Sequence, residues 1–360
     1  MKKKIIFFVH AGLTKPGGVE RVLSIIANEL CLRGISVSII SYNEGKPYYP
    51  ISPKIDLISL NHNISNNSFF NSVIFLKVIF KFKKLILNNG YDTVISVGIE
   101  SSLIVSLSLL FNKSIKKISW IHYSYFHLKK IRDRLFRTVL GYQFNNIVII
   151  NKTDIKEFTK IFKNRIVYIP NPKTLNSTIT SSLNNNILLS VGRLDKVKDF
   201  HTLIKIFSIV KKEKEFDKWG LKIFGNNHGE KESLLKLVAD LKLQNSVYIS
   251  DAVSNIESEF LRSDIYLMTS KYEGFPLVLL EAQEFGLPII SFDCPSGPRD
   301  IINHNIDGYL VKVGNINEYV QMLKLLMSDY ELRKSMGEKA RINVTKFNIE
   351  NIIYKWLEIL

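Results

Sequence analysis

Two cations in the second half of the chain have a position and a spacing suited to binding a phosphorylated ligand. Arg193 and Lys198 lie five residues apart, directly after an apolar run that reads as a buried strand. An arginine offers a planar fork of donors and a lysine offers a point charge, so together they could neutralise a diphosphate. Two basic residues in an ordinary surface loop are the competing interpretation. Their place at the carboxyl end of a strand favours the diphosphate.

Two carboxylates, Glu273 and Glu281, follow further along the chain, eight residues apart. Because a helix rises about 1.5 Å per residue, eight residues span roughly 12 Å, too far for both carboxylates to flank one bond as in a glycosidase. Separate tasks are therefore predicted for them. Between them lie residues that could present backbone amides to a ligand at the start of a helix: Gly274, Phe275, Pro276 and Leu277.

The helix that contains Glu281 is predicted to begin near Pro276, because proline suits a first helical turn. Free amides around residues 275–277 would attract a phosphate or sugar oxygen. Glu281 then lies just over one turn inside the helix, where a carboxylate can accept hydrogen bonds from a vicinal diol. Burying such a group for packing alone would be costly. Glu284 fits the ordinary solvated glutamate of this helix better.

Two weaker candidates lie in the first half of the chain. Gly17 and Gly18 join a strand to a helix, where glycines let backbone amides approach a phosphate, although such a turn is often only a tight connection. Their spacing is not the GxGxxG of a dinucleotide fold. His122 ends another strand beside Trp120, and a histidine in that setting is as often a packing residue as a reactive one.

The elements that must position these residues alternate between short apolar runs and helical patterns. Strands are predicted at residues 4–9, 37–41, 93–97, 118–122, 147–150 and 166–169, and again at 187–191, 221–224, 247–249, 265–269 and 288–292. The clearest helices cover residues 19–33, 199–212, 231–241 and 277–285. Alternation of this kind predicts parallel α/β sheets with helices on both faces. The polar stretch 173–186, after Pro-Asn-Pro, reads as a linker between two domains, 1–172 and 187–348.

Composition narrows the class of protein. A chain of 360 residues with 46% hydrophobic residues is large enough for two domains and is typical of a soluble globular protein. Only Cys31 and Cys294 are present, which fits a reducing cytoplasm. The apolar run 5–9 is too short for a signal peptide, and Glu100 within the run 94–111 argues against a membrane span.

The excess of positive charge lies entirely in the first half of the chain. Residues 1–180 hold 26 Lys and Arg against 9 Asp and Glu, whereas residues 181–360 hold 23 against 24. A basic half predicts a polyanionic partner, either nucleic acid or an anionic membrane leaflet. The run 69–87 favours lipid, because Lys77, Lys81 and Lys84 share one helical face, although a core helix with a solvated lysine stripe fits equally well. A second basic cluster comprises Lys129, Lys130, Arg132, Arg134 and Arg137.

These motifs together resemble the donor site of the family-4 retaining glycosyltransferases with the GT-B fold, in which two Rossmann-like domains face a central cleft. The likeness covers most of the chain. The stretches TSKYEGFPLVLLEAQEFGLPIISFDCPSGPRDII and WIHYSYFHL are especially similar to bacterial lipopolysaccharide and exopolysaccharide galactosyltransferases. The segment Phe224-Gly225-Asn226-Asn227-His228-Gly229 departs from the family's glycine-rich pattern.

The resemblance implies a role for each candidate. Gly17 and Gly18 would approach the donor diphosphate, Arg193 and Lys198 would bind it, and Glu281 would hold the ribose. Glu273 would contact the transferred sugar, with His122 near it, and residues 349–360 would cross back to the first domain. No cofactor is expected, and no metal either, because the DxD motif of the other major transferase fold is missing.

The predicted activity is transfer of a hexose, with galactose as the first candidate, from a UDP-sugar to a lipid-linked glycan in bacterial surface polysaccharide (lipopolysaccharide or capsule) synthesis. The enzyme would be cytoplasmic and peripheral on the inner leaflet, with the basic domain on anionic lipid and no nucleic-acid partner. A UDP-sugar epimerase of the same two-domain plan is the first alternative. A non-catalytic polyanion-binding protein is the second, and it is disfavoured because the specific residues lie in the neutral half.

Overall fold

The computed structural model describes residues 3–10, 12–42, 44–60, 68–125 and 131–360, with side chains throughout except those of residues 68–74, 131 and 132. The chain forms two units, one of residues 1–172 with 349–360 and one of residues 173–348. Of the second basic cluster, Lys129, Lys130 and the Arg132 side chain lie outside the described part.

The first unit is built on a seven-stranded sheet in which every described pairing is parallel. Its strands are β1 (Lys4–Val9), β2 (Ser36–Ser41), β3 (Asp56–Ser59), β4 (Thr93–Val97), β5 (Lys116–Ile121), β6 (Asn146–Ile149) and β7 (Ile166–Tyr168). They lie in the order β3-β2-β1-β4-β5-β6-β7, so the direction of winding reverses between β1 and β4. β1 is almost wholly buried because helices cover both faces of the sheet.

The helices of this unit in chain order are α1 (Gly18–Leu32), α2 (Ser68–Asn88), α3 (Ile99–Ser108), α4 (Ile131–Thr138) and α5 (Lys152–Phe162). The apolar run 94–111, which is nearly long enough for a membrane span, forms the end of β4 and then α3. Within the described residues, no helix combines the length and apolar character needed to cross a bilayer.

Helix α2 has a buried face and an exposed face, and both carry apolar residues. Val78, Phe82 and Ile86 are fully buried in the core of the unit. On the outside, Leu76, Phe80 and Leu87 are exposed, Phe80 to 70%. The predicted lysine stripe is only partly free, because Lys81 donates to the carbonyl of Leu60 at 2.7 Å.

The second unit contains a six-stranded sheet in the order β10-β9-β8-β11-β12-β13, also parallel in every described pairing. The strands are β8 (Ile187–Val191), β9 (Gly220–Phe224), β10 (Val247–Ser250), β11 (Ile265–Met268), β12 (Ile289–Phe292) and β13 (Gly308–Val311). Its helices are α6 (Phe200–Val210), α7 (Lys231–Asp240), α8 (Ile256–Leu261), α9 (Leu277–Glu284), α10 (Pro298–Ile301), α11 (Ile316–Ser328) and α12 (Tyr330–Asn343). The winding reverses between β8 and β11, which makes that gap the expected ligand site.

The segments that precede β8 and follow α12 are both packed against folded structure. Residues 173–186, predicted to connect two domains, belong to the second unit and pack against it: Ser181 donates from its backbone to Phe285, and Leu183 is buried. Helix α13 (Ile349–Ile359) belongs to the first unit, where its Trp356 ring meets Trp120 at 4.8 Å.

Candidate active site

The loops after β8 and β11 meet at the point where the second sheet reverses its winding. Lys198, from the loop after β8, and Glu273, from the loop after β11, form an ion pair with 2.7 Å between Nζ and Oε1. Their side chains are only 17% and 11% exposed. The lysine stem lies along Gly192, where a Cβ would come within 3.1 Å of it, so the glycine makes room for the cation. Two residues 75 apart in the chain are thus brought into direct contact.

The loop that carries both cations is shaped by Asp195, a residue that the sequence reading missed. Its Oδ1 accepts hydrogen bonds from the backbone amides of Val197 and Lys198 at 3.0 and 3.1 Å. Its Oδ2 lies 3.1 Å from the guanidinium of Arg193, whose side chain is 61% exposed. An aspartate two and three residues before two loop amides is typical of such a turn. That spacing could have identified Asp195.

The close approach of β8 and β9 continues beyond the strands. A Cβ on Gly225 would overlap the carbonyl oxygen of Gly192, so a residue with a side chain cannot occupy position 225 without moving the backbone. Leu194 and Asn226 then pair through a backbone hydrogen bond of 2.9 Å. The segment that departs from the family pattern therefore still has, at position 225, the glycine that this packing requires.

The start of α9 differs slightly from its prediction. Pro276 precedes the helix as its N-cap, with an extended backbone, and Leu277 is the first helical residue. Gly297 packs against Pro276, where a Cβ would lie 2.7 Å from the ring. Ser296 donates to the carbonyl of Glu273 at 2.6 Å, which fixes the residue before Gly274. The buried Phe275 ring packs on the Phe347 ring, with 5.5 Å between the two centroids.

Glu281 is 4% exposed, so its carboxylate is buried inside the second unit. Its Oε1 accepts a hydrogen bond from the Thr174 hydroxyl at 2.6 Å. Burial raises the pKa of Tyr266, and the negative charges of Glu281 and Glu273 raise it further, which places both carboxylates near this ring. Because the Tyr266 hydroxyl donates to the carbonyl of Val191 at 3.1 Å, the two glutamates surround the carboxyl end of β8.

The assignment of Glu284 as a solvated glutamate is wrong. Its side chain is buried and forms an ion pair of 2.8 Å with Lys173. Arg341 lies 3.3 Å from the other carboxylate oxygen, which also accepts from the amide of Ser177 at 2.8 Å. The partners come from the segment before β8 and from α12, so the pattern of residues around Glu284 in the chain could not reveal them.

Cys294 lies at the same end of the second sheet. Burial raises the pKa of its thiol to about 12, and the negative charge of Glu273 acts in the same direction. A thiol with so high a pKa is a poor nucleophile at neutral pH.

In the first unit, Gly17 immediately precedes α1 and Gly18 is its first residue. Gly17 has an extended backbone, so no left-handed conformation demands glycine there. A Cβ at this position would overlap the carboxylate of Glu20, which folds back over the start of the helix. Burial raises the pKa of Glu20. The structure thus places a carboxyl group where a donor phosphate was predicted to approach.

His122 is buried directly after β5, with its ring 4.3 Å from that of Trp120. Burial lowers its pKa to about 3, so the imidazole is neutral at physiological pH. Among the described residues, its Nε2 has no hydrogen-bond partner. A buried, neutral ring with one unsatisfied nitrogen is suited to hydrogen bonding with a ligand and unsuited to acting as a cation.

The loop that follows His122 is held by Asp154, which the sequence reading also missed. The Asp154 carboxylate, at the start of α5, accepts from the Ser124 hydroxyl at 3.2 Å and from the Tyr125 amide at 3.0 Å. Asn151 donates to it at 2.8 Å. Burial raises the pKa of Asp154, while these hydrogen bonds oppose that effect. Burying an aspartate is costly unless its carboxylate is hydrogen-bonded. Here two of the donors, Ser124 and Tyr125, belong to the loop after β5, so the carboxylate holds that loop in place.

The predicted site residues therefore divide between the two units. Gly17, Gly18 and His122 lie in the first, and the remaining ones lie in the second, where Lys198, Glu273 and Glu281 gather at the carboxyl ends of β8 and β11. Across the described ranges, no group of three or more His, Cys, Asp or Glu side chains could hold a metal ion.

Solved structures share this architecture along the whole chain. The lipopolysaccharide outer core galactosyltransferase WaaB in its apo form matches with a TM-score of 0.78, at 22% identity over 99% of this chain and 98% of that one. HepE of Anabaena, solved with UDP-glucose, matches with a TM-score of 0.77, at 18% identity over 99% of this chain and 98% of its own. The fold is therefore that of the GT-B glycosyltransferases.

Comparison of sequences narrows this class to one family. Residues 16–173 match the model of Glycosyltransferase Family 4, and residues 173–343 match that of Glycosyl transferases group 1. An uncharacterized glycosyltransferase of Haemophilus influenzae is 33% identical over 99% of this chain and all of its own. The amylovoran biosynthesis glycosyltransferase AmsD of Erwinia amylovora is 30% identical over 97% of each chain. The chain belongs to glycosyltransferase family 4 and is an enzyme of that family.

Proposed function

We propose that the enzyme transfers a hexose, with galactose as the first candidate, from a UDP-sugar to a lipid-linked glycan during synthesis of a bacterial surface polysaccharide. The observation that carries the donor side is the gathering of Lys198, Glu273 and Glu281 at the point where the second sheet reverses its winding. UDP-glucose in HepE supports a UDP donor, and the names of WaaB and AmsD support a galactosyl group and a surface glycan.

The residues divide the work of transfer among them. Arg193 and Lys198 stabilise the negative charge that grows on the departing diphosphate, a task for which preorganised cations suffice without a metal. Glu281 holds the ribose and Glu273 contacts the transferred sugar. The acceptor hydroxyl forms its bond to the anomeric carbon on the face from which the diphosphate departs, and its proton passes to the departing phosphate oxygen. The sugar therefore keeps its anomeric configuration without a covalent nucleophile. Cys294 remains a thiol beside the site and takes no part as a nucleophile.

Incubation with UDP-, GDP- and ADP-sugars, followed by detection of the released nucleotide, tests the donor. We expect slow hydrolysis of a UDP-hexose, unaffected by EDTA. Conversion of the UDP-sugar to its epimer without an acceptor would identify an epimerase instead. A chain that binds none of the nucleotide sugars would overturn the proposal.

Arg193→Ala tests the cationic role. Removal of one preorganised group that stabilises transition-state charge lowers kcat by about 100-fold or more. Arg262→Ala is the matched control, because Arg262 is exposed at the end of α8, away from the site. Equal activity of the two variants would remove Arg193 from the mechanism.

The outer face of α2 is the proposed contact with an anionic membrane leaflet. Leu76, Phe80 and Leu87 recur at helical spacing and are exposed, and Lys83 and Lys84 are exposed among them. Apolar side chains framed by lysines suit the boundary between lipid headgroups and acyl chains. The acceptor lipid would then lie in the plane of the same surface, which accounts for the positive charge of the first half of the chain.

Sedimentation with vesicles tests this contact. The double variant Leu76→Ser, Phe80→Ser should bind phosphatidylglycerol vesicles at least about tenfold more weakly, because two exposed apolar side chains that would insert into the leaflet are lost. Ile342→Ser is the control, since Ile342 is an equally exposed apolar residue of the second unit. Unchanged binding by the double variant would contradict the proposal, and salt-sensitive binding to RNA in place of vesicles would indicate a nucleic-acid partner.

A further inference from the structure

The turn between α3 and β5 exposes two consecutive apolar side chains. Leu110 is 42% exposed and Phe111 is 86% exposed, which is more than Phe80 on the outer face of α2. Single exposed apolar residues are common on protein surfaces, so exposure alone assigns no role. Phe111 differs from an ordinary exposed residue in its backbone conformation.

The backbone of Phe111 lies in the left-handed region, with a φ of +62°. Glycine adopts this conformation without strain and asparagine tolerates it, whereas a bulky side chain there crowds its own backbone. Folding alone would therefore favour one of those two residues at position 111. Strained residues of this kind are concentrated at functional positions, where the surrounding structure holds them.

Hydrogen bonds hold this turn in a defined shape. The Asn112 side chain accepts from two of the amides that follow it, each at 3.1 Å. The buried Lys117 donates to the carbonyls of Leu109 and Asn112 at 3.3 and 2.7 Å. Leu110 and Phe111 lie between these fixed carbonyls, so the turn presents both side chains to the surroundings at a fixed place.

Positive charge surrounds the turn. Lys113 follows Phe111 by two residues and is exposed. Lys116 is the first residue of β5. Burial lowers the pKa of Lys116 and the charge of Lys3 lowers it further, which places these two lysines close together. Lysines beside an exposed apolar pair are complementary to an anionic surface.

The turn lies at the same edge of the first sheet as the end of α2. Helix α2 packs against α3, and both helices run towards the edge where β4 and β5 begin, with Thr93 beside Lys116. Leu87, near the end of α2, is exposed at this edge. The turn is therefore placed to extend the exposed apolar face of α2 beyond the end of that helix.

We propose that Leu110 and Phe111 form an apolar tip that inserts into an anionic membrane leaflet. The proposal rests on the proposed function in one respect, the lipid-linked acceptor that brings the enzyme to the membrane. Two side chains offer far less area than the roughly 800 Å² that each partner buries in a specific protein complex. A leaflet needs no complementary surface, because its acyl chains accommodate apolar side chains of any shape and its headgroups attract the flanking lysines.

Sedimentation with phosphatidylglycerol vesicles, without donor or acceptor, tests the apolar tip. Phe111→Asn removes the ring and suits the left-handed backbone. It should bind vesicles about tenfold or more weakly. Its melting temperature should stay unchanged or rise by about 1–3 °C, because the strain is relieved.

Ile342→Asn is the matched control, since Ile342 is a strongly exposed apolar residue of the second unit. It should keep the wild-type affinity for vesicles. Wild-type vesicle binding by Phe111→Asn would overturn the proposal. A lower melting temperature of Phe111→Asn would overturn it as well, because Phe111 would then serve folding.

Phe111→Trp reports insertion directly. The three native tryptophans, Trp120, Trp219 and Trp356, are buried, whereas the new indole would stand at an exposed position. Its emission should shift to shorter wavelength when vesicles are added, and lipids brominated in their acyl chains should quench it. Ile342→Trp should show neither effect. An unchanged emission of Phe111→Trp on vesicles that sediment the protein would exclude insertion of the tip.

Lys113→Gln tests the contribution of charge. It should weaken binding to phosphatidylglycerol vesicles about fivefold and leave binding to phosphatidylcholine vesicles unchanged. Wild-type binding to both would remove Lys113 from the site. An enzyme that releases nucleotide from a UDP-hexose but binds no vesicles would overturn the membrane contact and leave the proposed donor intact. Vesicle binding that depends on Phe111, in an enzyme that accepts no nucleotide sugar, would do the reverse.

Discussion

Replacement of Glu273 by glutamine should strengthen UDP binding while it slows sugar transfer. In the ligand-free protein, the Glu273 carboxylate forms an ion pair with Lys198, with 2.7 Å between Oε1 and Nζ. A diphosphate that binds the same lysine would therefore lie close to a second negative charge. Glutamine keeps the shape of the side chain and removes the charge. UDP lacks the transferred hexose, so its affinity reports the effect on the diphosphate apart from any contact between Glu273 and the sugar.

The size of the effect follows from Coulomb's law. A phosphate oxygen that accepts from the same lysine would lie roughly 5 Å from the carboxylate. At that separation, one pair of unit charges repels by about 1 kcal/mol in water and about 3 kcal/mol at an effective dielectric constant near 20. The side chains of Lys198 and Glu273 are mostly buried, so the true value lies between these limits. Glu273→Gln should therefore bind UDP at least about fivefold more tightly, with kcat for UDP-hexose lowered by about 100-fold.

Folding stability supplies the internal check. Loss of a mostly buried ionic partner should lower the free energy of unfolding by about 1–3 kcal/mol, since Lys198 is left without its counterion. Glu259→Gln is the matched control, because Glu259 pairs with Lys222 at the same 2.7 Å elsewhere in the second unit. It should lose some stability and keep the wild-type UDP affinity. Weaker UDP binding by Glu273→Gln would refute the reasoning, for it would show that Glu273 serves the diphosphate by holding Lys198 in place.

Three further outcomes are expected. Asp154→Asn should lower kcat at least about tenfold with little change in UDP affinity, because it loosens the loop after His122; equal kcat in an acceptor assay would exclude this. The pKa of His122 is near 3 in the folded state against about 6.5 when unfolded, so the unfolded chain binds more protons between these values. The contribution of His122 to the free energy of unfolding is then largest above pH 6.5 and falls by up to about 5 kcal/mol towards pH 3, and His122→Phe should remove this contribution from a urea-denaturation pH series. Gly225→Ala should destabilise the second unit by about 3 kcal/mol or more, because its methyl group would overlap the Gly192 carbonyl, and an unchanged melting temperature would contradict that packing.

The parts of the fold that could be predicted are those set by local pattern. The strand Lys4–Val9 is a continuous apolar run, as a central strand buried on both faces must be. The sequence analysis does not predict the edge strand Asp56–Ser59. This strand has only four residues, it is exposed or partly buried along its length, and it contains only two consecutive apolar residues. Its pairing with Ser36–Ser41 is visible only once the sheet is assembled.

The same distinction separates the site residues. Lys198 and Glu273 could be identified because each follows an apolar strand, and parallel strands bring their carboxyl ends to one edge. The burial of Glu284 could not be predicted, because Arg341, one of the cations that pair with it, is 57 residues away in the chain and belongs to another helix. Asp195 and Asp154 lie between these cases. Each has a local turn or capping pattern, but only the contacts show what that pattern holds.

At the proposed donor site, Arg193 and Lys198 are each paired with a carboxylate in the ligand-free protein, and these pairs bear on the expected selectivity. Arg193 pairs with Asp195, but the guanidinium is largely exposed, and such a pair stabilises the protein by little, so Arg193 can leave it at small cost. Lys198 is different, because the side chains of both Lys198 and its partner Glu273 are largely buried, at 17% and 11% exposed. A ligand binds Lys198 only if its attraction to the lysine exceeds that of the Glu273 carboxylate, which is already in contact with the lysine. A single phosphate of low charge competes poorly there, whereas a diphosphate offers a second phosphate to Arg193 at the same time. We therefore expect this site to favour nucleoside diphosphates over monophosphates, and UMP should bind far more weakly than UDP to the wild-type enzyme.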